Sequence, residues 1–285
     1  MTNPEQMQTA ATKQPWALIH LPPFPPLALR IMRMVARTDV SMKELSDLIS
    51  ADQVFSSEIL TIANSPLYSS SREITSILQA TTLLGLERMK GLAVTVGVRA
   101  YLGDWLSLPA LRACWRHSIA CALIAEKLAA AAYMDGDTAY TAALIHDIGR
   151  LGLAALQPAQ YSSFLHATGQ TPCDVLQREQ ELFGMNHCDA GQNLVKAWNL
   201  PVELEGVVSQ HHEPCKWTDD SILCIVHLSC LMADSLGFAS AHGLNPVSYE
   251  QLLSEIPVKE RSRFPQTAGE MAFQIAKQIN AIESI

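Results

Sequence analysis

The string Leu144-Ile145-His146-Asp147-Ile148-Gly149-Arg150 sets an imidazole beside a carboxylate inside otherwise apolar sequence. Both groups are costly to bury unless something binds them. A divalent cation satisfies both, because imidazole nitrogen and carboxylate oxygen suit zinc, iron or manganese. The glycine after the pair would let another backbone come close. A lone buried His-Asp pair is more often a plain polar contact than a metal site. His117, His187 and the adjacent His211-His212 change that balance, since four separate segments then offer ligand types within about 100 residues.

Arg150 closes the string. Its guanidinium could hold a phosphate or a carboxylate. Equally, it could be a surface residue at a helix end, where the macrodipole favours a cation. Asp147 and Arg150 are therefore the candidate catalytic groups; His117, His146, Asp147, His187, His211 and His212 are the candidate metal ligands. His20, His166 and His242 read as isolated surface or loop residues, and His227, on an apolar helix, as a satisfied core group. No Gly-rich phosphate loop, G-x-S-x-G elbow or Rossmann fingerprint occurs.

Helices must position these groups. Of 285 residues, 48% are hydrophobic and 17% charged, a globular balance. A net charge of −8 argues against sequence-independent nucleic-acid binding and against docking on anionic lipid. The seven cysteines contain no CxxC, and the first residues lack a basic start and an apolar run, so a reducing cytoplasm is expected. No stretch is long and apolar enough for a membrane span; Ile222 to Ala233 comes nearest and reads as a buried helix.

Residues 1–15 are expected to be disordered. Pro22, Pro23, Pro25 and Pro26 imply an extended arm, with a helix following on Leu27, Ile31, Met34 and Val35. Ser41 and Glu44 form a capping-box pattern, and Asp52 caps a helix carrying Phe55, Ile59, Ile62 and Ala63 that stops near Asn64-Ser65-Pro66. Ile74, Ile77, Leu78, Thr81 and Leu84 form the next stripe, ending at Gly85. After a junction at Gly103 to Pro109, helices are expected over about 110–132, 137–156, 172–181, 187–198, 201–211 and 219–236, with Thr171 capping the third. Met271, Ile275, Ile279 and Ile282 in the tail recur at near-helical spacing, for packing on this chain or on a second copy. No strand is expected.

The ordered set of features resembles the HDOD family, within the wider HD phosphohydrolase superfamily. The likeness spans roughly residues 16 to 237. It is carried by LPPFPPLALRIM, Asp52, Leu60, Asn64-Ser65, Tyr68, Ile74, Ala80, Leu84-Gly85, Trp115 with His117-Ser118, LIHDIGRLGL, His187, Trp198 with Leu200-Pro201, and His211-His212-Glu213. The resemblance implies an all-α fold: an N-terminal helical half over 16–105, an HD-like helical bundle over 106–240, and a helical extension over 241–285. It implies that the six candidate ligands stand where HD-type and HD-GYP-type enzymes place theirs.

Two departures matter. Where those enzymes carry a late aspartate, this chain has Cys230, in Val226-His227-Leu228-Ser229-Cys230. Cys230 could ligate as a thiolate, which would favour zinc, although a cysteine there is more often a small buried residue. Asp234, one turn on, could reach inward only by helix rotation. The Gly-Tyr-Pro segment is also missing. The resemblance therefore implies a bacterial signal-transduction module working through a signalling protein partner, non-catalytic and able to retain a divalent metal. The alternative is a metal-dependent phosphohydrolase acting on a nucleotide or other phosphate ester. A weaker third reading makes the metal purely structural or sensory. No fused effector segment is evident, so output is expected through a partner or a ligand in the pocket.

Overall fold

The computed structural model describes residues 21, 23–35, 37, 39–68, 73–216 and 221–283, and these form helices with no strand among them. The stretch 1–15, His20, Pro22 and Trp217 lie outside the described residues. The first five helices are α1 (Pro26–Val35), α2 (Met42–Ser50), α3 (Gln53–Ala63), α4 (Ile77–Leu84) and α5 (Leu86–Leu102). Ser41 accepts from the Glu44 N–H, but the Glu44 carboxylate bonds Arg37 instead of returning to the cap, so only half of the expected box forms. Asp52 caps α3 through the Phe55 N–H. Asn64 holds both the N–H and the carbonyl of Ile74, each at 2.8 Å. That clamp keeps Ile74 outside α4, which starts at Ile77 on a Ser76 cap, and Leu78 faces solvent, contrary to the expected stripe.

A short turn, Gly103–Ser107, leads into α6 (Pro109–Ala131), the long central helix. Then come α7 (Gly136–Ile145), α8 (Gly149–Leu156), α9 (Pro158–Thr168), α10 (Val175–Phe183), α11 (His187–Ala197), α12 (Glu203–Gln210) and α13 (Ile222–Ala233). The expected helix over 137–156 is two helices. A tight turn at His146–Ile148 separates them, with Ile148 N–H bonded to Ile145 O and Arg150 N–H to Asp147 O. Both flanking helices are apolar nearly all round, so periodicity does not betray the break. The cap of α10 is Asp174, not Thr171.

α6 packs on α7 and α13, α8 lies along α11, and α12 bridges α11 to α13. α5 joins the first five helices to α7, and one apolar core runs from Leu21 to Ile282. α14 (Tyr249–Glu255), α15 (Val258–Arg261) and α16 (Ala268–Glu283) complete the described chain. Met271, Ile275, Ile279 and Ile282 are buried where α16 meets α6, and Glu283 pairs with Arg112 and Arg116, so this stripe packs on its own chain. No helix of the described residues is long and apolar enough to cross a membrane.

Candidate metal centre

Five elements converge on one point: α6 brings His117, the α7–α8 turn His146 and Asp147, the first residue of α11 His187, the end of α12 His211 and His212, and α13 Cys230. All six candidate ligands therefore meet. In four of the imidazoles the Nδ1 atom faces outward onto an oxygen. His117 meets Phe238 O at 3.1 Å, His146 meets Ala143 O at 2.5 Å, and His211 meets Val208 O at 3.1 Å. His187 meets the Glu179 carboxylate at 2.6 Å. Carbonyl and carboxylate oxygens can only accept, so each Nδ1 carries the proton and each Nε2 turns a lone pair inward.

The inward nitrogens of His187 and His211 face each other and Asp147, while that of His117 faces the Cys121 thiol at 3.4 Å. His187 Nε2 lies 3.3 Å from His211 Nε2 and 3.0 Å from His212 Nε2. Asp147 Oδ1 is buried without a hydrogen-bond partner, 3.3 Å from His187 Nε2 and 3.5 Å from His211 Nε2. Ligands about 2.0–2.1 Å from a tetrahedral ion are about 3.3–3.4 Å apart. Asp147 Oδ1, His187 Nε2 and His211 Nε2 thus form one face of such a tetrahedron, with His212 beside it. Donor types, spacing and the orphaned oxygen all fit a divalent cation.

Arg150 is buried, not at the surface. Its Nε donates to Asp147 Oδ2 at 2.7 Å, and its Nη1 meets Tyr161 OH and Glu179 Oε1, each at 3.3 Å. Its fork is engaged in fixing the centre, which makes it a positioning residue for Asp147. Burial alone would raise the Asp147 pKa, but Arg150 and the imidazoles around it hold the carboxyl well below the usual range. Two carboxylates, Asp147 and Glu179, face one guanidinium, so the buried network keeps one excess negative charge while the imidazoles are neutral. His212 keeps an exposed edge, yet desolvation within the cluster and then His211 and His187 hold it down at about 2, a neutral donor.

Glu179 is the functional residue that the sequence pattern does not disclose. It is fully buried, accepts from both the backbone N–H and the Nδ1 of His187, and anchors Arg150 and Tyr161. Its signal is a carboxylate in the Val175, Leu182, Phe183 stripe, where an apolar residue is due. Outer partners of this kind are worth about 10–100-fold in metal affinity. Glu179→Gln is expected to weaken zinc binding by that factor in competition with a chromophoric chelator; unchanged affinity would reduce Glu179 to a packing role.

Cys230 is partly buried and packs against the apolar core. It lies with His117, Cys121 and His146, their donor atoms within 4.8 Å of one another. Asp234 does not replace the missing ligand, since its carboxylate sits 3.3 Å from the outer Nδ1 of His117. A cavity of about 430 Å³ opens on the cluster, bordered by Asp147, His211, His212 and Cys230 and by the 239–247 segment. His227, its Nδ1 2.9 Å from His211 O, and the exposed His242 also border it, so neither is remote from the centre. His166 is exposed and takes no part.

Comparison with known proteins agrees with this architecture. Residues 21–214 match the HDOD domain family. An uncharacterized protein of Treponema pallidum is 24% identical over 218 residues, 73% of this chain, and the chain spans only 41% of that relative's length. An HDOD domain protein of unknown function from Geobacter sulfurreducens superposes with a TM-score of 0.70 at 24% identity, covering 93% of each chain. A candidate phosphohydrolase from Shewanella amazonensis gives 0.66 at 20% identity over 94% of each chain. A candidate signal transduction protein from Marinobacter aquaeolei gives 0.70 at 20%, over 93% of this chain and 58% of that one. At these identities the structures share the fold, and the match over 21–214 places the chain: it belongs to the HDOD domain family.

Proposed function

We propose that this chain is a regulatory HDOD module that holds a divalent cation at Asp147, His187, His211 and His212, presents it to a ligand in the adjoining cavity, and passes occupancy to a signalling protein partner without a hydrolytic cycle. The observation that carries the cation is the orphaned Asp147 Oδ1 facing inward imidazole lone pairs. Iron, manganese and zinc all accept such donors. When bound, the cation supplies a Lewis-acidic contact for an anionic oxygen. His212 and Asp147 border the cavity, so a nucleotide or another phosphate-bearing molecule is the ligand class supported.

The donor set favours regulation over turnover. Asp147 is the lone carboxylate inside the cluster, and its Oδ2 is engaged by Arg150. Cys230 stands where the resemblance to HD hydrolases calls for a second carboxylate. The Marinobacter neighbour's description as a candidate signal transduction protein agrees with this reading. The runner-up is a metal-dependent phosphohydrolase, favoured by the cavity bordering Asp147 and by the Shewanella neighbour's description as a candidate phosphohydrolase.

Calorimetry on the metal-stripped full chain, with zinc or manganese and then inorganic phosphate or a nucleoside monophosphate, tests the proposal. The expected result is cation binding, phosphate binding that requires the cation, and no release of phosphate from ester substrates. Turnover that disappears in Asp147→Ala would establish the hydrolase instead. The pH dependence of this site should be shallow. Against the opposing effect of burial, Arg150 and the surrounding imidazoles hold Asp147 well below the usual carboxylate range, and desolvation holds His211 down and His212 down at about 2, so these three donors have no proton to expel near neutrality. Cation affinity is expected to change by less than about tenfold between pH 6 and 9; a loss of about tenfold for each unit of pH lowered would show a protonated ligand in the cation-free protein and contradict the assignment.

A further inference from the structure

The cluster has a second half that the Asp147 cation does not use. His117 and Cys121 stand one turn apart on α6, His146 comes from the α7–α8 turn, and Cys230 comes from α13. His117 Nε2 is 3.4 Å from Cys121 Sγ, and Cys230 makes side-chain contacts with Cys121, His117 and His146. No free carboxylate oxygen serves this half. Asp234 Oδ1 meets the outer Nδ1 of His117 at 3.3 Å, not the inward nitrogen, and Asp147 Oδ2, 4.0 Å from His117 Nε2 and 3.7 Å from His146 Nε2, is held by Arg150 Nε at 2.7 Å. The donors that remain are two imidazole nitrogens and two sulfurs.

We propose that His117, Cys121, His146 and Cys230 form a separate, closed four-coordinate site for a thiophilic cation of the zinc class, next to the Asp147 site and chemically unlike it. Two imidazoles and two thiolates are a tetrahedral zinc set, whereas manganese and magnesium prefer oxygen. The four donors lie within 4.8 Å of one another. Edges of a tetrahedron with bonds of about 2.0–2.1 Å to nitrogen and 2.3 Å to sulfur are roughly 3.3–3.8 Å, so side-chain adjustments of about 1 Å close the site. The outer shell is built as well, since the Nδ1 atoms of His117 and His146 are fixed by Phe238 O and Ala143 O. Such a site ties α6 and α13 to the α7–α8 turn. It therefore couples the loading of a soft cation to the wall of the ligand cavity, which Cys230, His117 and His146 border.

Cobalt(II) titration of the metal-stripped, reduced full chain tests this, with cobalt standing in for zinc. The expected result is two equivalents bound, one of them producing thiolate-to-cobalt charge-transfer absorption and the strong visible bands of a tetrahedral ion. Cys121→Ala and Cys230→Ala should each remove part of the charge-transfer band, and the double variant all of it, leaving one equivalent. Cys188→Ser, whose sulfur lies 4.0 Å from His211 Nδ1 on the other side, should leave the band intact. Helical circular dichroism certifies each variant as folded, and the wild-type spectrum decides the matter if a variant is not. Two equivalents without a thiolate band, or a band that survives the double variant, would overturn the second site while leaving the Asp147 cation standing. One equivalent carrying the full thiolate band would support this site and sink the Asp147 proposal instead.

Discussion

Asp147→Ala is expected to abolish cation binding at His187, His211 and His212 and to destabilise the cation-free protein by about 3–5 kcal/mol. The two effects come from different oxygens of one carboxylate. Oδ1 faces His187 and His211 Nε2 at 3.3 and 3.5 Å and has no other partner. Removing it deletes a ligand, which costs more than the roughly 10–100-fold lost with an outer partner. Oδ2 neutralises buried Arg150 at 2.7 Å, and stranding a buried charge costs about 3–5 kcal/mol. Asp147→Asn separates the two. It keeps a carbonyl oxygen near the imidazoles but loses the charge that pairs with Arg150. Zinc calorimetry and urea denaturation without metal read the two effects independently. If Asp147 served only to neutralise Arg150, both variants would lose stability while the chain kept full cation affinity.

That division of labour within one side chain bears on what the sequence can disclose. The ligand types were legible because they are chemically rare. Histidines and an aspartate set in apolar, helix-forming sequence demand a reason for burial, and His117, His146, Asp147, His187, His211 and His212 do converge. Their supports were not legible, because each looks ordinary in its own segment. Arg150 reads as a helix-end cation until α9 and α10 close over it with Tyr161 and Glu179. Helix α9 itself escapes periodicity. Ser162, Ser163 and His166 interrupt its sequence, and only tertiary packing buries Tyr161, Phe164 and Leu165. Elsewhere local chemistry overrode the stripe, as when Asn64 bonded both backbone groups of Ile74 and held it out of α4.

Gly149→Ala carries the second large effect, and its sign runs against helix propensity. Gly149 opens α8 with ordinary helical backbone, not at positive φ, so alanine suits its conformation and adds about 1 kcal/mol of intrinsic helix preference. Space decides the outcome. A Cβ at this position would lie 1.8 Å from the His187 carbonyl oxygen, 2.5 Å from Gly191 N and 2.8 Å from His187 C. All three are backbone atoms of α11, so no rotamer change relieves the clash, and α8 and α11 must part by more than about 1 Å. Overpacking of this kind costs about 1–3 kcal/mol or more where nothing can yield. The displaced residue is also the one that matters to the site. His187 shares the contact and would draw away from Asp147 Oδ1, its partner at 3.3 Å. The expected result is a loss of about 3 kcal/mol in urea denaturation together with a fall in zinc affinity of at least about tenfold, because ligand geometry tolerates only about 0.5 Å. Gly191→Ala is the control from the facing helix. Its closest neighbour is Val208 Cγ1 at 2.4 Å, a side chain with room to turn, and its next contact is Gly149 N at 3.3 Å. It should cost markedly less stability than Gly149→Ala. Equal losses in the two variants would mean that the α8–α11 contact is softer than its backbone atoms imply, and that His187 is placed by Glu179 alone.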